Sequence, residues 1–331
     1  MKITAIETYA VRIPLKPKYR MISALGSHYE SNYVLARVLT DEGIEGVGEA
    51  TATPNWGGET RWSVESIIEN YLAPAVIGMD PCDIEAIGRA MDRPVTHNWF
   101  AKSAIEMACW DIVGKDAGKP ISALLGGRVR DTLRTYTYLY PTTERPAVYS
   151  DPSQAAEHAA LEVRRGFDAV KFDPAGPYTA FDGHMPSLED ISRSVAITGA
   201  IREAVGDRAD LLFGTHGQFT PSGALRLAQR LEIYDPLWFE EPVPPDHVEG
   251  MAQVARGTSI PIATGERLTT VTEFAAVLQA GAAQILQPNL GRSGGILQGK
   301  KIASLAEVHQ ASLAPHCYCG PVVAAANIAL A

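Results

Sequence analysis

The sequence predicts an α/β fold, a (β/α) barrel carried behind a smaller N-terminal α+β domain, and three observations make that prediction. Beyond Arg130, seven short apolar runs of strand type alternate with amphipathic helical segments. That is the signature of a parallel sheet covered by helices and curled on itself. Two of the runs, Leu237-Trp238-Phe239-Glu240 and Pro261-Ile262-Ala263-Thr264-Gly265-Glu266, end abruptly in a carboxylate and then turn. The first 50 or so residues, in contrast, show the shorter period of antiparallel strands.

In chain order, strands are expected at Ile3–Ile13, Ser31–Thr40 and Ile44–Ala50, with Asp41-Glu42-Gly43 as the turn between the last two. A polar loop, Lys16–Tyr29, separates the first pair and carries Arg20, Ser23, Gly26 and His28. From Arg61 to Gly126 the period turns helical. The clearest piece is Ala101–Lys115, whose apolar residues recur at three- and four-residue spacing and which stops at Gly118-Lys119-Pro120. The barrel strands are expected at Thr135–Leu139, Ala169–Asp173, Asp210–Gly214, Pro236–Glu240, Pro261–Glu266, Ala283–Asn289 and Ala311–His316. Helices such as Ser222–Leu231 and Thr272–Ala280 lie between them. The segment Pro174–Pro186 lengthens the loop after the second of these strands, and long loops at that face carry function, here part of a lid. The chain stops at Ala326–Ala331 inside an apolar helical pattern with no stop signal, so a C-terminal segment closing the barrel is expected to be missing.

Composition narrows the function. No apolar run approaches the roughly 18 residues of a membrane span, and Met1–Glu7 lacks a signal-peptide core. Net charge is −9 without a basic cluster, which speaks against nucleic acid. The four cysteines (Cys82, Cys109, Cys317, Cys319) are too scattered for a disulfide scaffold, so a reduced, cytoplasmic location is the default. Cys317 and Cys319 beside His316 hint at a metal site, but no second Cys/His pair completes it. Strand-end carboxylates belong at the C-terminal mouth of a barrel. Glu240 and Glu266 are 26 residues apart, about one β/α unit, and therefore aim into the same space. Two such charges either raise a pKa or share a hard cation such as Mg²⁺.

Several motifs carry a family likeness. The Ser103–Asp111 helix, Leu124-Leu125-Gly126-Gly127, Phe239-Glu240-Glu241-Pro242 and Gly265-Glu266-Arg267-Leu268 resemble the mandelate racemase-like branch of the enolase superfamily. So do Gln287-Pro288, Gly294-Gly295-Ile296 and Ala314-Pro315-His316, and the likeness runs over essentially the whole chain. Within that branch, Gly265-Glu266-Arg267, His216 and His316 are most similar to sugar-acid dehydratases of the galactonate type. The resemblance implies a capping domain, residues 1–127, over a TIM-type (β/α)₇β barrel, residues 128–331. It implies Mg²⁺ (or Mn²⁺) held by three carboxylates and removal of the proton beside a substrate carboxylate. Loss of the neighbouring hydroxyl then leaves a 2-keto-3-deoxy acid, by a hydro-lyase reaction on an anionic sugar acid. Members commonly form homo-oligomers.

Carried over residue by residue, Glu240 and Glu266 match two metal carboxylates, His316 the catalytic base, His216 the acid that helps the hydroxyl leave, and Lys171 the lysine that neutralises the substrate carboxylate or supports the metal site. The chain departs from the pattern at three places. The first metal carboxylate is expected one unit before Glu240, at position 214, which is glycine; His216 or Glu241 would have to complete the shell. The Asp that orients the base is Asn289, which can hold the imidazole but cannot stabilise its charged form. A second lysine on the strand is Asp173, which disfavours a two-base racemase. Asp173, Arg267, Arg20 and His28 are candidates for binding substrate, with Ser23, Trp56, Tyr138, Tyr140 and Tyr318 around the mouth. Each also has an ordinary structural reading, Lys171 and Arg267 as ion pairs and the histidines as satisfied loop or core residues. An epimerase or cycloisomerase is the rival enzyme class, and a catalytically degenerate sugar-acid-binding member the rival outside catalysis.

Overall fold

The structure is a computed structural model that describes residues 1–24, 26–142, 144–176 and 184–331. The chain opens with β1 (Ile3–Pro14), β2 (Met21–Ser23), β3 (Gly26–His28), β4 (Glu30–Thr40) and β5 (Glu45–Thr51). β1, β4 and β5 form an antiparallel sheet in that order. Alternate residues of β4 (Val34, Ala36, Val38) point into a core shared with Ile68, Ile87, Phe100 and Ile105, as a sheet with one covered face requires. The helix expected at 101–115 spans Trp99–Ala117. It lies so close to β5 that a Cβ at Gly48 would clash with the Ala104 backbone. Glycine at 48 is therefore a packing requirement. The expected polar loop before Tyr29 is more ordered than its composition implies: it contains the β2–β3 hairpin, turned through Gly26 at φ +102°.

The second half contains β6 (Thr137–Tyr138), β7 (Ala169–Phe172), β8 (Asp210–Gly214), β9 (Trp238–Glu240), β10 (Ile262–Thr264), β11 (Ile285–Leu286) and β12 (Ser312–Leu313). All pair in parallel with their sequence neighbours, in the order β12-β11-β10-β9-β8-β7-β6, with helices between them. This is the expected barrel-type sheet under an antiparallel cap. Each strand falls within or on its expected window, but most are shorter. Phe172, Phe213 and Phe239, from three neighbouring strands, are fully buried in the main core, a layer that stiffens the strand ends above it.

Buried carboxylates of the cap tie the halves together. Glu106 accepts from the backbone N–H of Ile296 at 2.7 Å and Leu297 at 2.8 Å, at the start of the Ile296–Val308 helix. Glu49 accepts from Gly320 N–H at 2.6 Å and Val322 N–H at 3.1 Å, at the start of the Pro321–Leu330 helix. No helix among the described residues is long and apolar enough to cross a membrane. The middle of the expected lid, residues 177–183, lies outside the described residues.

Candidate active site

The strand ends deliver their polar side chains into one buried cluster. β9 ends in Glu240, whose strand neighbours in register are Gly214 of β8 and Ala263 of β10. Glu266 follows two residues after β10. Lys171 lies within β7, and His316 follows β12. Lys171, Glu240, Glu266, His216 and Asn289 are all at most 5% exposed. Charged groups so buried must be paired, and here they are. Lys171 Nζ meets Glu240 Oε1 at 2.5 Å, and Gln287 Nε2 donates to Glu240 Oε2 at 2.7 Å. Trp56 Nε1, from the cap, donates to Glu266 Oε1. His316 Nε2 lies 3.1 Å from Glu266 Oε2.

The network around His316 assigns its proton. Asn289 Oδ1 accepts from Gly291 N–H at 2.9 Å, so the amide nitrogen of Asn289 faces Nδ1 of His316 at 3.0 Å. The same nitrogen is 3.4 Å from the Tyr318 carbonyl, which also requires a donor. Nδ1 therefore accepts, and the neutral imidazole carries its proton on Nε2, donated to Glu266. Burial pushes His316 down to about 3 and His216 down to about 4, so both rings are neutral at physiological pH. For Glu266 burial is the largest influence and acts upward, yet the facing His316 and His216 rings, the Lys171 ammonium and the Trp56 hydrogen bond outweigh it and hold the carboxyl well below its ordinary range. His216 sits in the left-handed region at φ +55° with Nδ1 buried and unpartnered within the protein. A strained residue at the mouth is where a reacting group is held ready.

These groups face a cavity of about 1180 Å³, ample for a small acid. Lys171, His216, Glu266, His316, His28 and Trp56 line its mouth, and it continues down the seam between β6 and β12 past Tyr136 and Leu313. Of the expected substrate-binding residues Asp173, Arg267, Arg20 and His28, only His28 lines it, together with the expected mouth residues Ser23, Trp56, Tyr138, Tyr140 and Tyr318. The His28 ring packs edge-on to Trp56 (5.5 Å) and Tyr318 (6.3 Å), and burial lowers its pKa. Asp173 does not line the cavity. Gln218 Nε2 and Ala175 N–H hold it at 2.5 and 3.0 Å, and burial raises it to about 7. Arg267 is likewise withdrawn, its Nε 2.7 Å from Glu241 Oε2. Arg20 is exposed over the Tyr29 ring at 5.6 Å and is not among the lining residues.

Gln287 and Gln218 were missed as site residues. The only signal available was position, since Gln287 follows a strand end as Glu240 and Glu266 do. A three-carboxylate cation site does not fit this donor set. Residue 214 has no side chain, Glu241 is committed to Arg267, and all four oxygens of Glu240 and Glu266 already face protein donors or the Lys171 ammonium. Among the described residues no three His, Cys, Asp or Glu side chains converge as a metal site. Cys317 and Cys319 are free thiols with sulfurs 3.9 Å apart.

The sequence pattern of the mandelate racemase/muconate lactonizing enzyme N-terminal domain matches residues 4–126, and that of the enolase C-terminal domain-like family matches residues 154–331. The chain is 35% identical over 331 aligned positions to a D-galactonate dehydratase of Xanthomonas oryzae pv. oryzae, covering 98% of this chain and 77% of that one. It is equally identical, over 317 positions, to a D-xylonate dehydratase of Haloferax volcanii, covering 91% and 74%. A solved mandelate racemase/muconate lactonizing enzyme from Sulfitobacter sp. superposes with a TM-score of 0.90 at 48% identity, covering all of this chain and 82% of that one.

Proposed function

The chain belongs to the enolase superfamily, in its mandelate racemase and muconate lactonizing branch, and from that premise we propose that it dehydrates a sugar acid, an aldonate or aldarate. Residues 1–127 are the cap and 128–331 the catalytic half. The observation that carries the reading is that two neutral imidazoles in different hydrogen-bonding states share one cavity with a buried ammonium. Dehydration beside a carboxylate needs those three things: an acceptor for the carbon proton, a donor for the departing hydroxyl, and a cation for the carboxylate.

On this reading the two histidines exchange the roles carried over by resemblance. His316 carries its proton on Nε2, shared with Glu266 at 3.1 Å beside the cavity, and has its Nδ1 occupied by Asn289, so it acts as a hydrogen-bond donor toward the leaving hydroxyl. His216, a neutral imidazole lining the cavity, takes the proton at C2. Lys171 faces the substrate carboxylate. C2 loses its proton to His216, the C3–O bond breaks as the His216 imidazolium so formed passes that proton to the hydroxyl, which leaves as water steadied by a hydrogen bond from the His316 Nε2–H, and the resulting enol becomes the 2-keto-3-deoxy acid. Epimerisation would require a second acceptor on the opposite face, and Asp173, the candidate from the strand, is tied to Gln218 and the backbone. The Mg²⁺ that members of the superfamily bind finds no ready three-carboxylate cradle among the described residues.

The test is a screen of aldonic and aldaric acids, with and without Mg²⁺ or Mn²⁺, for 2-keto-3-deoxy product, with each histidine replaced by asparagine. Product from a narrow stereochemical set is expected. His216→Asn should abolish solvent-deuterium exchange at C2, whereas His316→Asn should keep exchange and lose elimination by about 10²–10⁴-fold. Silence across the set overturns the dehydratase reading, and the converse histidine pattern overturns the role assignment.

A further inference from the structure

Position 214 carries no side chain, and the lysine two strand positions away uses the space. A Cβ at Gly214 would run into Cε of Lys171, and it would lie 3.3 Å from Lys171 Nζ and 3.0 Å from Tyr138 Oη. The Tyr138 hydroxyl donates to the Gly214 carbonyl at 2.9 Å, closing the same volume from the other side. Any side chain at 214 therefore displaces Lys171. The ammonium so placed is 2.5 Å from Glu240, with the Tyr136 and Tyr138 rings 5.4 and 5.3 Å away. Glu240 and Glu266 bring two negative charges to the cluster, and Lys171 answers one of them from within the protein.

We propose that Lys171 is the resident cation of this site: its ammonium holds the place against Glu240 that a divalent ion would need, and Gly214 is the residue that makes room for it. The inference rests on Glu240 and Glu266 being the heart of the active site, and not on the reaction being a dehydration. A dication brought to Glu240 would have to displace Lys171 or sit against it, and repulsion between like charges grows as the surroundings become drier. An ammonium has three donors. Glu240 takes one, and because Lys171 lines the cavity, another is available to a substrate carboxylate and to the charge that collects on it as the C2 proton leaves.

The experiment is a Mn²⁺ titration of the chelator-treated protein followed by electron paramagnetic resonance, which reads metal uptake without any substrate. The wild-type protein should leave the free Mn²⁺ signal unattenuated into the millimolar range. The Lys171→Met/Gly214→Asp variant, which removes the ammonium and adds a carboxylate, should take up one Mn²⁺ per chain with an affinity about a hundredfold higher or more. Circular dichroism checks its fold, and if it does not fold, Lys171→Met alone is titrated in its place. Uptake of one Mn²⁺ per wild-type chain at micromolar concentration, lost in Glu240→Gln, overturns the proposal. So does a folded variant that remains as indifferent to Mn²⁺ as the wild type. Failure to find a sugar-acid substrate would leave these readouts untouched.

Discussion

Asn289 is the residue on which the proton chemistry turns. With its carbonyl anchored by Gly291 N–H, it can only donate to His316, and the imidazole is left as the Nε2–H tautomer. The ¹⁵N spectrum of imidazole-labelled protein should show that tautomer for His316 between pH 5 and 8. In Asn289→Asp a carboxylate oxygen replaces the donor, and the proton should move to Nδ1, with the pKa rising by about one to three units. A wild-type Nδ1–H signal would sink the assignment. The depressed pKa of His216 also links to stability. Above its ordinary value of 6.5 the ring is neutral both folded and unfolded, so it contributes no pH dependence. Between 6.5 and about 4 only the unfolded chain binds the proton, and stability is lost as pH falls through that window. Urea titrations at pH 7 and pH 4 should show the wild type losing about 3 kcal/mol more than His216→Asn. Equal losses would mean that the ring titrates normally.

At the level of elements, the strand ends and helix starts are where short-range pattern becomes chemistry. The carboxylates at the ends of β9 and after β10 were legible because strand runs terminate visibly and barrels place such termini together. The β2–β3 hairpin was not legible, since three-residue strands leave too little alternation to read. Glu106 was visible as part of the Ser103–Asp111 helix, but its partners were not. It serves as a remote cap, 190 residues from Ile296, for the first N–H groups of the Ile296–Val308 helix. Burial raises its carboxyl to about 7, against the Leu297 and Ile296 N–H groups and the Trp110 indole, which favour the ionised form. Glu106→Ala strands two buried donors and should cost about 3 kcal/mol in denaturant unfolding, with Glu106→Gln intermediate. A loss below about 0.5 kcal/mol, the scale of an ordinary surface change, would show that the helix start has other partners.

Across the whole molecule, the cap completes the site rather than merely covering it. Trp56, from a short helix after β5, reaches Glu266 over 210 residues of chain and packs edge-on against His216 at 5.5 Å. A hydrogen bond to a charged group is worth roughly 1.5–3 kcal/mol. Trp56→Phe keeps the ring and loses the donor, and should lower kcat/KM about tenfold or more with little change in melting temperature. An unchanged kcat/KM would place Trp56 outside the machinery.

The sequence by itself determined the fold class, the order of the strands, the residues that end them and the three departures at 214, 289 and 173. The fold class, the strands and their ends depend on local periodicity and on spacing along the chain, and the three departures on resemblance to the enolase superfamily pattern. Only the tertiary structure decided what those residues touch: Lys171 on Glu240, 69 residues away, Asp173 turned aside to Gln218, Arg267 committed to Glu241, and the proton of His316 on Nε2. The physical reason is that a buried charge takes its protonation and its role from whichever donors folding brings within about 3 Å. In this site most of those donors come from other strands or from the cap.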